Sequence, residues 1–271
     1  MVEFAPVLPP ELYPIFDTGK YHLVQAHMIK HNRRIREWFA YRVGRGHVVI
    51  LDNGAFELGE PDITSLFWVA RAIRPTIIVC PDMYCDALRT FSLFTQYLDV
   101  CARHAQGVMM VPHGDCTDQW VECAARMLRY VECVKPATKM YLGVPKVLDS
   151  YSPNGRLAAL VALQRAGYIV TPSATHLLGV WNYLVELAPL VAVYPDLMGL
   201  DTTLPVARAL APAGEDTGKC KLNHEHWKLT EDQIEWSQRQ RIKSNILQVR
   251  LMLDQWCRAA IAPAVLTEIS L

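Results

Sequence analysis

Short apolar runs and longer amphipathic stretches alternate along most of the chain. HVVILD (47–52) is rich in β-branched residues and contains no turn former, so it reads as a buried strand. PDITSLFWVARAIR (61–74) follows as a helix, with Pro61 in its first turn and Pro75 stopping it. TIIVCPD (76–82) is the next strand. Residues 86–104 then form a helix with Leu88, Phe91, Phe94, Leu98 and Cys101 on one stripe. GVMMVPHG (107–114) is a strand, and Thr117 caps a helix running through Tyr130. KMYLGVP (139–145) is a strand, and 154–166 is a helix ending at Gly167. YHLVQA (21–26) supplies an early strand. YIVTP, THLLGV and LVAVYPDLMGLD are later strand candidates, with WNYLVELA (181–188) as a short helix before the last.

Parallel strands need crossovers of this kind. The repetition runs over roughly 45–210 with no break in composition. It predicts an α/β fold, a (β/α)8 TIM barrel with a C-terminal helical extension; an open, doubly wound sheet is the alternative. Residues 1–212 form the predicted catalytic barrel, and 213–271 a polar loop plus a long helix. That helix, 231–261, carries Ile234, Ile242, Ile246, Val249 and Leu253 as its buried stripe and either completes the barrel or docks on it.

Composition narrows the class. The chain has 271 residues, 51% hydrophobic and 20% charged, which fits a globular core and not a disordered tail. Its eight cysteines are scattered without a CxxC pair, as expected for reduced, buried thiols. The N-terminus has neither the basic start nor the apolar run of a signal peptide, and no segment reaches the length of a membrane span. The expectation is a cytoplasmic protein without a membrane partner, in the host cytoplasm if a phage encodes it. The 27 basic and 27 acidic residues balance, which excludes a polycationic coat but leaves room for local patches. One such patch is KHNRRIREWFAYRVGRGH (30–47), with six Lys or Arg against one Glu and three interleaved aromatics. Arg33, Arg34, Arg36, Arg42 and Arg45 are its candidate phosphate-binding residues. The competing reading is an outer barrel helix with snorkelling arginines.

Polar residues gather where the predicted strands end: Asp52, Asp82, His113, Gly143, His176 and Asp201. In a barrel those ends form one rim, where the active site sits. LDNGAFELGE (51–60) places an acid before Asn53, Gly54 and Phe56, residues that let a planar ligand approach the backbone and stack. Three acids on different strand ends suit chemistry at a sugar carbon, with a nucleophile, a proton donor and acceptor, and a reader of a base edge.

On these residues the sequence resembles the tRNA-guanine transglycosylase superfamily, most closely its phage- and bacterium-encoded branch that inserts 7-deazaguanine bases into DNA. LDNGAFE resembles the family's Asp-Ser-Gly-Gly-Phe-Gln motif, which implies Asp52 as acid/base and Phe56 as the base-stacking ring, with Asn53 and Gly54 beside them. CPD resembles the base-recognition motif and implies that role for Asp82. VPHG resembles Val-Gln-Gly-Gly, with Pro112 in place of Gln and His113 and Gly114 beside it. YLGVPK resembles the Gly-rich strand end that touches the base, through Gly143 and Val144. HLLGV resembles Tyr-Leu-Met-Gly-Val, with His176 at its start and Leu178 in the place of the base-packing Met. GLDTTLP resembles Asp-x-x-x-Pro-Thr-Arg, with Asp201 as nucleophile, Pro205 at the expected distance and no Thr-Arg pair. Together these motifs cover about residues 48–205.

The resemblance implies exchange of guanine in DNA for a 7-deazaguanine base, preQ0-like, through a covalent Asp–C1′ intermediate and with no cofactor required for catalysis. A tRNA-type transglycosylase is the alternative, and a non-catalytic nucleic-acid-binding subunit of the same fold is a third. The family's structural zinc site falls here on Cys220, His224 and His226, a partial ligand set that Cys257 or Glu225 could complete. A solvated surface loop is the other reading of that segment.

Overall fold

A computed structural model describes residues 2–16, 19–134, 136–180, 187–210 and 229–261. Eight parallel strands form the sheet: β1 (Glu3–Pro6), β2 (Tyr21–Gln25), β3 (Val48–Asp52), β4 (Ile77–Val79), β5 (Gly107–Met110), β6 (Lys139–Pro145), β7 (Thr175–Leu178) and β8 (Gly199–Thr202). The ladder order is β1-β8-β7-β6-β5-β4-β3-β2, and β1 and β2 face each other across the closing seam. The result is a nearly closed (β/α)8 barrel, as the alternating pattern predicts.

The helices are α1 (Ala26–Ile29), α2 (Arg33–Gly44), α3 (Ala55–Leu58), α4 (Ile63–Ile73), α5 (Ala87–His104), α6 (Thr117–Val134), α7 (Leu148–Tyr151), α8 (Gly155–Arg165), α9 (Ala188–Val193), α10 (Leu204–Leu210) and α11 (Trp236–Ile261). Side-chain caps fix several starts. Asn32, Asp62 and Asp86 accept hydrogen bonds from the backbone N–H of Ile35, Ser65 and Arg89 at 3.2, 3.0 and 2.9 Å.

The strand period of two divides the core into two shells. Ala5, Val7, Tyr21, Leu23, Ile50, Ile77, Val79, Met109 and Val111 fill the barrel interior. Their neighbours Val24, Val49, Leu51, Ile78, Val108 and Met110 face outward and pack under the helices. The inward parity carries through the strand ends. Gln25 follows Leu23, Asp52 follows Ile50, and Asp201 follows Gly199, each two residues on.

Several local expectations are corrected. Asp62, not Pro61, starts α4, because its carboxylate satisfies the orphan Ser65 N–H. Thr117 lies inside the first turn of α6, where the Cys116 carbonyl already accepts from the Trp120 N–H. Leu88, in the first turn of α5, leaves the stripe and is exposed. YIVTP is not a strand: Ile169 points to solvent and Pro172–Ala174 forms a 3-10 turn. Within LVAVYPDLMGLD only the end is strand, since the first residues close α9. Most of WNYLVELA lies outside the described residues. The N-terminal strand β1 was not anticipated.

Helix α11, about 39 Å long at 1.5 Å per residue, buries Ile242, Ile246, Val249 and Leu253 against α9 and α10. Ile234, just ahead of it, is buried too. The Asn245 amide of α11 donates to the Pro205 carbonyl at 2.9 Å.

Candidate active site at the barrel mouth

The carboxyl ends of the strands surround a cavity of about 570 Å³. Its wall includes Val7, Gln25, Asp52, Asn53, Phe56, Glu57, Asp82, Tyr84, His113, Lys146, Leu178 and Asp201. Residues from all eight strand ends take part, and four of the six predicted rim residues, Asp52, Asp82, His113 and Asp201, share this cavity.

Asp201 is held from β7 and the turn that follows it. One oxygen, Oδ1, accepts from His176 Nε2 at 3.0 Å, and the Gly179 N–H lies 3.3 Å from both oxygens. An ionised carboxylate only accepts hydrogen bonds, so His176 carries its proton on Nε2. The other ring nitrogen, Nδ1, is within hydrogen-bond distance of the Tyr21 hydroxyl, at 2.7 Å.

Asp82 is held in a second network. His113 Nε2 donates to its Oδ2 at 2.7 Å, and the Asn53 amide donates to its Oδ1. Asn53 also donates to the Cys80 carbonyl at 3.1 Å and accepts from the Ala55 N–H at 2.8 Å. Buried Asn53 therefore ties the end of β3 to the loop after β4 and sets the direction of Asp82. His113 Nδ1 is buried without a hydrogen-bond partner among the described residues.

Asp52 has a different environment. Protein crowds its carboxyl at the cavity wall, and this desolvation pushes its pKa well above the carboxylate range. The negative charges of Glu57, Asp82 and Asp201 push in the same direction, against a hydrogen bond from the Asn53 backbone. Glu57 stands exposed at the rim but has its carboxyl set back beside Gln25. Desolvation raises its pKa as well, against the hydrogen bond with Gln25, and the charges of Asp201 and Asp82 add to the rise.

Of the residues singled out from sequence, Asp52, Asn53, Phe56, Asp82, His113, Leu178 and Asp201 line the cavity. His176 lies beneath it, fully buried against Asp201. Gly143 faces the barrel interior, where a Cβ would meet Val111 at 2.8 Å and Met109 at 3.0 Å. Val144 points the other way, into the helix-facing core. Gly114 is pinned by α6: a Cβ there would meet Gln119 and the Trp120 nitrogen, both at 2.7 Å. Gly54 has φ +77°, and a Cβ would run into His27 Nδ1, so this glycine shapes the turn into α3.

Family models were searched and none matches this chain, and no curated protein matches it. What the site can do is therefore read from its own chemistry. It offers a held carboxylate, a carboxyl biased toward its protonated form, and a third acid beside an imidazole, around a cavity of the size that takes a small-molecule ligand.

Gln25, Glu57, Tyr84 and Lys146 were not singled out from sequence. Gln25 was legible, because it ends YHLVQ at inward parity with Tyr21 and Leu23. Tyr84 packs edge-on to both Phe56 and His113, with centroids 5.2 and 5.8 Å apart, and only the folded loop shows this.

The candidate nucleic-acid-binding arginines lie on or just after α2, outside the barrel. Arg33, Arg34 and Arg45 are exposed, with Arg33 paired to Glu37 at 2.6 Å. Arg36 donates to the Ile29 carbonyl at 3.0 Å and to that of Lys30, and lies 4.2 Å over the Trp68 ring. Arg42 lies 4.6 Å over Trp38. Cys220, His224 and His226 fall outside the described residues, and no cluster of three metal-binding side chains occurs among the described ones. Cys257 is buried on α11 with its Sγ 4.0 Å from the Pro195 carbonyl. No described helix is long and apolar enough to cross a membrane.

Proposed function

We propose that the chain is a base-exchanging transglycosylase that replaces guanine in DNA with a 7-deazaguanine base. One observation carries this reading: Asp52 and Asp201, from strand ends on either side of the closing seam, share one cavity but differ in environment. Asp201 is held by N–H donors as an oriented carboxylate, while Asp52 is biased toward the neutral acid. Such a split supplies a nucleophile and a proton donor together.

In the first displacement an Asp201 oxygen attacks C1′ and the bond from C1′ to the base breaks. Asp52 gives its proton to the departing guanine. In the second, Asp52, now a carboxylate, takes a proton from the incoming base. That base attacks C1′, and Asp201 leaves as a carboxylate. Two displacements retain the anomeric configuration. Asp82, with Asn53 and His113, meets the polar edge of the base, and Phe56 and Leu178 pack on its faces. A base inside a duplex must be extruded to reach this cavity, which is the role given to phosphate contacts by the exposed arginines of α2.

The test is incubation with guanine-containing DNA or tRNA and candidate 7-deazaguanines, followed by mass spectrometry of the nucleosides and intact-mass analysis of the protein. Modified deoxyguanosine in DNA and a protein–DNA adduct are expected, both lost in Asp201→Asn. Modification of tRNA alone would move the substrate from DNA to RNA. An adduct that persists in Asp201→Asn would remove this residue as nucleophile.

A further inference from the structure

We propose that Tyr21 is a positioning residue for Asp201, acting through His176 across the interior of the barrel. The inference rests on reading Asp201 as the nucleophile.

The chain of contacts is complete. The Tyr21 hydroxyl, His176 Nδ1, His176 Nε2 and Asp201 Oδ1 are linked at 2.7 and 3.0 Å. All three residues are buried. Tyr21 lies on β2 and His176 on β7, so the contact spans the barrel and not one ladder. The surrounding shell of Ala5, Val7, Leu23 and Ile50 is apolar. A phenylalanine at position 21 would pack into that shell as well. What the hydroxyl adds is a donor for the one histidine nitrogen that does not face Asp201.

The barrel also makes room for the ring. Residue 199, beside His176 in the β7–β8 register, is glycine, and a Cβ there would come within 2.7 Å of Tyr21 Cε1. Position 199 and the nucleophile position 201 share the inward face of β8. The side chain missing at 199 is therefore what lets the Tyr21–His176 pair lie directly under Asp201.

Chemically the pair fixes one imidazole form. With the Tyr21 hydroxyl donating to Nδ1, that nitrogen is occupied as an acceptor and the ring proton sits on Nε2, aimed at Asp201. That N–H strengthens its bond whenever Asp201 is anionic. It orients the attacking carboxylate in the first displacement and receives it as the leaving group in the second. With Phe at 21, Nδ1 loses its donor. The ring can then take the Nδ1–H form, which turns a bare lone pair toward Asp201, or the doubly protonated form. The ionisable groups that bear on this pair are Asp201 from β8, Glu3 from β1 and Tyr141 from β6. All three raise the Tyr21 pKa together with its burial, so the phenol stays a donor.

The experiment uses full-length protein with 15N-labelled histidine. Long-range proton–nitrogen NMR reads the His176 tautomer, with His176→Gln identifying the signal. Wild type is expected to show the Nε2–H form alone, and Tyr21→Phe a mixture or a protonated ring. In single-turnover reactions Tyr21→Phe is expected to slow adduct formation and breakdown on the order of tenfold, as for a group acting through another, with free-base affinity unchanged. An unchanged His176 spectrum in Tyr21→Phe overturns the relay, and an altered spectrum with unchanged adduct rates overturns its role in positioning. If wild type forms no adduct and exchanges no base, the proposed function falls, and the spectrum alone still decides whether Tyr21 sets the His176 form.

Discussion

Asp52 shows how a side chain suited to chemistry weighs on the fold that holds it. Its folded pKa is raised by burial and by three neighbouring acids. Between its unfolded and folded pKa values the native state binds more protons than the unfolded state, so stability falls as pH rises through that window. Below the unfolded value the carboxyl is neutral in both states and contributes nothing. Asp52→Asn is neutral at every pH. It is therefore expected to melt at higher temperature than wild type at pH 8 and at the same temperature near pH 3, while base exchange is lost. Thermal unfolding across pH checks this, and a variant less stable than wild type at pH 8 would refute it. The three strand-end acids were legible because each follows an apolar run. The environments that separate them were not. Asn53, His113 and Gly179 approach from other strands, and those distances exist only in the closed barrel.

At the scale of elements, legibility followed length and period. Strands β3 and β6, of five and seven residues, are built largely on apolar residues and were read almost to their ends. Strand β1, EFAP, has four residues and proline at its end, too short for a period of two to register. Only its pairing with β8, from Glu3 opposite Gly199 to Pro6 opposite Thr202, defines it. Helix α2 shows why a charge cluster is not one function. Arg36 bonds the carbonyls that end α1 and covers Trp68, so Arg36→Ala is expected to cost about 1–2 kcal/mol of stability whatever the protein binds. Arg33, Arg34 and Arg45 are exposed. Replaced together by Gln, they are expected to leave the melting temperature nearly unchanged and to lower the slope of log affinity for DNA against log salt, by up to about 3. Fluorescence titration across a salt series measures this, and an unaltered slope would remove the helix from the DNA interface.

At the scale of the molecule, the barrel and its last helix share an apolar contact. Ile242 is fully buried and lies on the face of α11 that meets α9 and α10. Ile242→Ala is expected to cost about 2–4 kcal/mol. Because that face packs directly on barrel helices, urea unfolding should stay a single transition with an unchanged slope. A separate early transition would show that α11 unfolds on its own. The alternation of elements made the barrel legible. The docking of α11 was not, since its stripe of isoleucine, valine and leucine fits any apolar surface.

The seam between β1 and β2 has a consequence for breathing motions. Every other neighbouring pair among the described strands is joined by a backbone ladder, and among the described residues none joins β1 to β2. Asp201, on β8, belongs to one bank, and Gln25 and Asp52, on β2 and β3, to the other. The distance between the proposed nucleophile and the proposed acid is thus set across the most weakly stitched line of the wall. Amide hydrogen exchange should be fastest, among the strands, along β1 and β2. A ligand that touches both acids should slow it there more than anywhere else, acting as the missing stitch.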